Sequence, residues 1–199
     1  MSDKVDKIKL QQLRELTGCG MMDCRKALEE ADGNLENAVD ILRKKGAAVA
    51  AKRSIKETAQ GIIKAYIHPG DQLGVLLEIN CETDFVARTP EIQQVATDIC
   101  MHIAAFNPLY LTPEDVDQKF LEREKELIKE QLANSGKPAA IIDGIIEGKL
   151  KKLYSEICLM EQKFLKNDLI TVKERLQELI AKTGENIKLR RFARFEISK

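Results

Sequence analysis

The side chains best suited to nucleophilic or metal chemistry are few: two histidines, His68 and His102, and five cysteines, Cys19, Cys24, Cys81, Cys100 and Cys158, in 199 residues. The histidines stand alone, so Ser-His or Cys-His catalysis has no pattern to rest on; a turn residue and a helix-packing residue are the plainer readings. Cys19 and Cys24 lie five apart around a Gly and two Met, which is not a zinc-knuckle spacing, and no second pair completes them. Gly148-Lys149 lacks both the upstream glycine and the following Ser or Thr of a phosphate loop, and neither GxGxxG nor GxSxG occurs. The acidic residues fall on polar helix faces, where paired-carboxylate catalysis has no support. No catalytic residue, cofactor or metal is expected, and the chain reads as a binding protein.

Two stretches carry contact chemistry. In Gly18-Cys19-Gly20-Met21-Met22, two consecutive methionines cannot both face one core, so at least one is exposed at a tight glycine-bounded corner, where flexible thioethers make an adaptable surface. Arg14 and Arg25 stand nearby, either as a polar rim to that surface or as ordinary solvated helix charges. In Cys81-Glu82-Thr83-Asp84-Phe85-Val86, a Phe adjoins an Asp in a short strand-to-helix connection. Either Phe85 folds back as core while Asp84 caps a helical turn, or the pair projects as an apolar wedge whose carboxylate acts on a partner's bound cation.

The elements that must position these residues follow from spacing. Val5, Ile8, Leu10, Leu13 and Leu16 give a first helix ending at Thr17-Gly18. A second starts near Asp23 and buries Cys24, Ala27, Leu28 and Ala31. After the Asp32-Gly33 turn, Asn34 caps a third, which carries Leu35, Ala38, Val39 and Leu42 and which Gly46 is expected to stop. This three-helix module, with an alanine-rich connector, spans residues 1–53, and an α+β core is expected over 54–199. Strands near 61–67 and 73–80 form a hairpin around His68-Pro69-Gly70-Asp71. Helices open at Thr89-Pro90, Thr112-Pro113 and Pro138, and a last helix runs from Thr171 to Gly184. The closing run 187–197 aligns Ile187, Leu189, Ala193, Phe195 and Ile197 on one face of a third strand. The fold class is α+β, with a small antiparallel three-stranded sheet packed with helices.

Composition bounds the partners. Thirty-two Lys and Arg balance 32 Asp and Glu, so a protein devoted to gripping nucleic acid is not expected. No run resembles a signal peptide or a membrane span, and scattered, odd-numbered thiols suit a reducing compartment. The expectation is a cytoplasmic protein with free cysteines, no nucleic-acid partner and no membrane partner.

The blocks LRELTGCGMMDCRKALEEADGNLENAV, VLLEINCETDFVAR, EGKLKKLYSEICLMEQKFL and TGENIKLRRFARFEI, in this order along nearly the whole chain, resemble bacterial translation elongation factor Ts. The resemblance implies a guanine nucleotide exchange factor for elongation factor Tu, with an N-terminal ubiquitin-associated-like module and an α+β core. It implies that Thr83, Asp84, Phe85 and Val86 intrude into the partner's GTP-binding domain, where the ring displaces the groups that hold magnesium and the phosphates. It further implies that Met21 and Met22, with Arg14 and Arg25, pack against the same domain. The chain is similar to the short type, without the second sheet subdomain and protruding helical hairpin of longer members, and a homodimer that supplies the missing surface is a further expectation. Two competing readings are an adaptor whose helical module binds ubiquitin-like proteins or nascent chains, and RNA binding through Arg190, Arg191 and Arg194.

Overall fold

Three helices open the chain in the computed structural model, which describes residues 6–133 and 138–197; Val5 of the first apolar stripe lies outside the described residues. In α1 (Lys7–Thr17) the Asp6 carboxylate accepts the Ile8 N–H at 2.9 Å, and Gly18, left-handed at φ 65°, closes the helix by donating to the Arg14 carbonyl. Helix α2 (Met21–Glu30) starts two residues before Asp23, because the Gly20 carbonyl already accepts the Asp23 and Cys24 N–H groups at 3.1 and 3.0 Å. Helix α3 (Leu35–Arg53) is capped by the Asn34 side chain, which accepts from Asn37 N–H. Leu13, Cys24, Ala27, Leu28, Ala31, Ala38 and Leu42 form the module's buried core.

Gly46 does not stop α3, which runs on to Arg53 and absorbs most of the alanine-rich connector. A Cβ at Gly46 would lie 3.6 Å from the Ala181 Cβ, an ordinary contact distance, so Gly46 sits within a helix–helix contact and not at a terminus.

Strands β1 (Gln60–Ile67) and β2 (Leu73–Cys81) form the expected hairpin. His68 N–H donates to Leu73 O at 2.8 Å, Asp71 N–H to His68 O at 3.0 Å, and Gly70 takes φ 98°. A short α4 (Asp84–Ala87) and α5 (Pro90–Phe106) follow, the latter opened by Thr89, whose hydroxyl accepts from Ile92 N–H. The helix expected at Thr112-Pro113 is only a 3-10 turn, Pro113–Asp115, because buried Val116 turns extended (φ −70°, ψ 132°). The next helix, α6 (Gln118–Ala133), begins afresh with the Asp117 carboxylate accepting Phe120 N–H at 2.9 Å. It packs on α7 (Ala139–Ile157) over Val116, Leu121, Ile128, Ile146, Leu150 and Cys158. A two-stranded ribbon, β3 (Lys163–Phe164) and β4 (Asn167–Thr171), has no counterpart in the sequence expectations, since its strands are too short to show alternation.

Helix α8 (Val172–Thr183) ends at left-handed Gly184, and β5 (Ile187–Glu196) completes an antiparallel sheet in the order β1-β2-β5. The third strand is therefore where the closing residues place it, but its apolar residues are covered only at the start of the strand. Ile187 and Leu189 are buried, Arg190 and Arg191 are both exposed, and Phe195 and Ile197 then face solvent.

Contacts divide the chain into two compact units. One comprises Met1–Lys64, Leu77–Thr97 and Lys173–Arg190; the other comprises Ala65–Leu76, Asp98–Val172 and Arg191–Lys199. The first holds both contact stretches. In the second, Ile99, Cys100, Ile103, Leu159, Phe164 and Ile170 are buried. There His102 hydrogen-bonds Gln162 Oε1 through Nε2 at 2.9 Å and accepts Leu165 N–H on Nδ1 at 3.2 Å, which ties α5 to the ribbon. No described helix is long and apolar enough to cross a membrane.

Candidate partner-contact site

Strand β2 ends in the buried Cys81, and the next residues must turn the chain into α5 within a few positions. Thr83 does this with extended backbone (φ −126°, ψ 154°) and a hydroxyl that accepts Val86 N–H at 3.4 Å, capping α4. Of the four residues of that single turn, Ala87 is buried at 3% exposure while Phe85 is 81% exposed. Asp84 occupies the first turn, where its charge suits the helix dipole, and pairs with Arg88 at 3.0 Å. Val86 is half-buried. Cys81 before this turn and Ala87 within it point into the core, while Phe85 stays in solvent.

The turn that carries this exposed ring is itself firmly held. Glu185, in the loop between α8 and β5, accepts Thr83 N–H at 3.1 Å and the Thr83 hydroxyl at 2.6 Å. Conversely Glu82 accepts Asn186 N–H at 2.6 Å and faces Arg53 at 3.5 Å. Asn186, 2% exposed, donates through its side chain to Lys56 O at 2.6 Å. The Cys81 thiol donates to Thr83 O at 3.1 Å, and burial, followed by the neighbouring Glu185 charge, pushes its pKa up, so it stays a neutral donor. None of these holders stood out as a site residue in the sequence; the TGEN run contains Glu185 and Asn186, but nothing local connects it with a loop a hundred residues earlier.

The N-terminal corner belongs to the same unit. Met21 and Met22 are 55% and 63% exposed, so neither plugs the helical core, which Cys24, Ala27 and Leu28 fill one turn later. Arg14 is exposed on α1, and Arg25 pairs with Glu29 at 3.0 Å. Lys182 of α8 lies beside this corner, its Nζ 4.0 Å from where a Cβ on Gly18 would stand, and it pairs with Glu91 at 3.2 Å. Helix α8 and the loop after it therefore touch both stretches.

Comparison with known proteins assigns the chain to a family. The family model for elongation factor Ts matches residues 26–179, and a model for a UBA-like domain matches residues 9–40. The chain belongs to the elongation factor Ts family. Elongation factor Ts of Caldanaerobacter subterraneus subsp. tengcongensis is 55% identical over 187 residues, covering 94% of each chain. That of Carboxydothermus hydrogenoformans is 54% identical over 188 residues, covering 94% of this chain and 87% of its own, and that of Pseudothermotoga lettingae is 52% identical over 94% of this chain and 95% of its own. These elongation factor Ts relatives match the chain over most of their own length. Family membership carries the coarse role of a translation elongation factor acting in nucleotide exchange on elongation factor Tu.

The arginines weighed for RNA binding are arranged differently. Arg194 is tied to Glu196 at 2.8 Å and to Ala104 O at 3.3 Å and exposes 15% of its side chain, so it offers little to a phosphate. Arg190 and Arg191 remain at the surface.

Proposed function

We propose that the chain speeds GDP release from elongation factor Tu by entering the partner's GTP-binding domain with Thr83, Asp84, Phe85 and Val86. The observation that carries this reading is a largely exposed Phe85 on a turn whose backbone is held before the ring by Thr83 N–H donating to Glu185 and after it by the Thr89 hydroxyl donating to Val86 O. An apolar ring in water gains by entering a cleft, and an anchored turn forfeits little conformational entropy when it does so. The ring displaces the groups that hold the magnesium and phosphates, and Asp84 sets a negative charge beside that cation's shell. Met21 and Met22 add adaptable apolar area on the same partner domain, with Arg14 and Arg25 at the rim. Because binding of the chain and of GDP oppose each other, each weakens the other by the same factor, and no covalent bond is made. Such work belongs in the cytoplasm, with neither nucleic acid nor membrane as partner.

The test is magnesium dependence. Added to Tu with a fluorescent GDP analogue, the chain should raise the magnesium concentration needed to retain nucleotide, and Phe85→Ala should abolish that rise while its circular dichroism spectrum stays unchanged. A Phe85→Ala protein as effective as the parent would refute the wedge.

A second reading concerns self-association. In the second unit, Ile67, Leu76, Phe195 and Ile197 are all largely exposed and line or flank a groove of about 610 Å³. Apolar residues gathered on one sheet surface are costly to leave in water. A second copy of the same chain fits such a face, since a two-fold pairing lets each copy cover the other's patch.

A further inference from the structure

We propose that Glu185 is a positioning residue for exchange: it sets the pose of the turn that carries Phe85 without touching the partner. This rests on the reading of Phe85 given above. Three observations carry it. The two carboxylate oxygens of Glu185 are divided between the backbone N–H and the hydroxyl of Thr83, at 3.1 and 2.6 Å. With its proton committed to Glu185, the Thr83 hydroxyl presents lone pairs to Val86 N–H at 3.4 Å, so the carboxylate orients the cap of α4, in which Phe85 is the second residue. Glu185 is itself placed: Gly184 turns left-handed at the end of α8, and Glu185 N–H donates to the Thr183 hydroxyl at 3.4 Å, whose own proton goes to Leu179 O at 2.9 Å.

The clasp is reciprocal. Glu185 accepts from the backbone of the residue after Glu82, and Glu82 accepts from the backbone of the residue after Glu185. Two charge-assisted bonds thus cross between loops 102 and 104 residues apart in sequence. The Glu82 half is backed by Arg53 and by buried Asn186, and it holds the loops together. The Glu185 half acts on the Thr83 hydroxyl and so on α4. Removing Glu185 leaves the sheet and α8 joined through Glu82 but frees the turn to sample poses in which the ring no longer points at the cleft.

Saturation kinetics of GDP release from Tu distinguish this role from a structural one. Glu185→Ala should lower the maximal release rate about tenfold with a much smaller change in the half-saturating concentration, because only the pose within the complex suffers. Glu185→Gln, which retains one acceptor oxygen, should recover part of that rate and serves in its place if the alanine variant does not fold. In a double-mutant cycle, adding Glu185→Ala to Phe85→Ala should cost almost nothing further, since a missing ring cannot be misaimed. Amide hydrogen exchange should quicken at Thr83 and Val86 while the amides of α2 and α3 keep their protection. If Phe85→Ala slows release but Glu185→Ala does not, or if the two effects multiply independently, the positioning role is wrong and the wedge survives. If Phe85→Ala leaves release unchanged, the wedge itself fails and takes the role of Glu185 with it.

Discussion

Phe85 is the residue on which the functional reading turns, and its exposure makes the effect of removing it separable from folding. A ring 81% exposed contributes little to stability, so Phe85→Ala should shift unfolding free energy by less than about 0.5 kcal/mol while slowing nucleotide release at least tenfold. Urea titration beside a release assay checks both halves; a loss above about 2 kcal/mol would mean the ring packs as core. His102 makes the opposite case, a buried polar group that is purely structural. Burial lowers its pKa below the ordinary value, outweighing the bond to Gln162, and both ring nitrogens are engaged while it is neutral. The unfolded chain therefore binds the proton more readily than the native one. The stability that His102 supplies is complete above its unfolded pKa of about 6.5 and declines as pH falls below that value. Urea midpoints at pH 7.5 and 5.5 should differ more for the parent than for His102→Gln; equal differences would contradict this. The sequence shows an unusual Phe-Asp pair and an unusual Met-Met pair, but it does not show which way a side chain points. In the fold, Cys81 at the end of β2 and Ala87 in α4 are buried while Phe85 between them is exposed.

At the scale of elements, caps and turns were legible because each is written within about four residues: Asn34 before α3, Thr89-Pro90 before α5, His68-Pro69-Gly70 in the hairpin. What local pattern cannot carry is close approach between distant segments. Gly46 reads as a helix stop by type, yet it lies in the interior of α3, where Ala181 packs against it. Gly46→Leu should destabilise by about 1 to 3 kcal/mol and weaken Tu binding together with stability, as thermal melts and titrations would show; a neutral outcome would mean that α3 does not need α8. Gly61 in β1 is the stricter case, since a Cβ there would run into the Ile79 carbonyl and lie 2.9 Å from the Asn80 Cα. The holders of the Phe85 turn carry no local signal for the same reason: Glu82 and Glu185 have ordinary types in ordinary places, and only the fold brings their loops together. Along β5 only Ile187 and Leu189 of the apolar residues are buried, and Phe195 and, just past the strand, Ile197 are exposed.

For the molecule as a whole, the two units offer different surfaces and the predictions for them are independent. The first carries the Met21-Met22 corner and the Phe85 turn, both read as facing Tu. Met21→Ala with Met22→Ala should weaken the complex mainly through faster dissociation, measurable by surface-immobilised kinetics; an unchanged dissociation rate would remove the corner from the contact. The second carries the groove with Phe195 and Ile197. Phe195→Asp with Ile197→Asp should convert a dimeric mass in light scattering to that of one chain, and a single-chain mass for the parent at micromolar concentration would end the self-association reading. The most direct test of the central claim is stopped-flow release of a fluorescent GDP analogue from Tu, with the parent chain and with Asp84→Ala/Phe85→Ala. Acceleration by the parent that the double substitution removes is the predicted result; acceleration that survives the substitution would contradict the assignment of exchange to this turn.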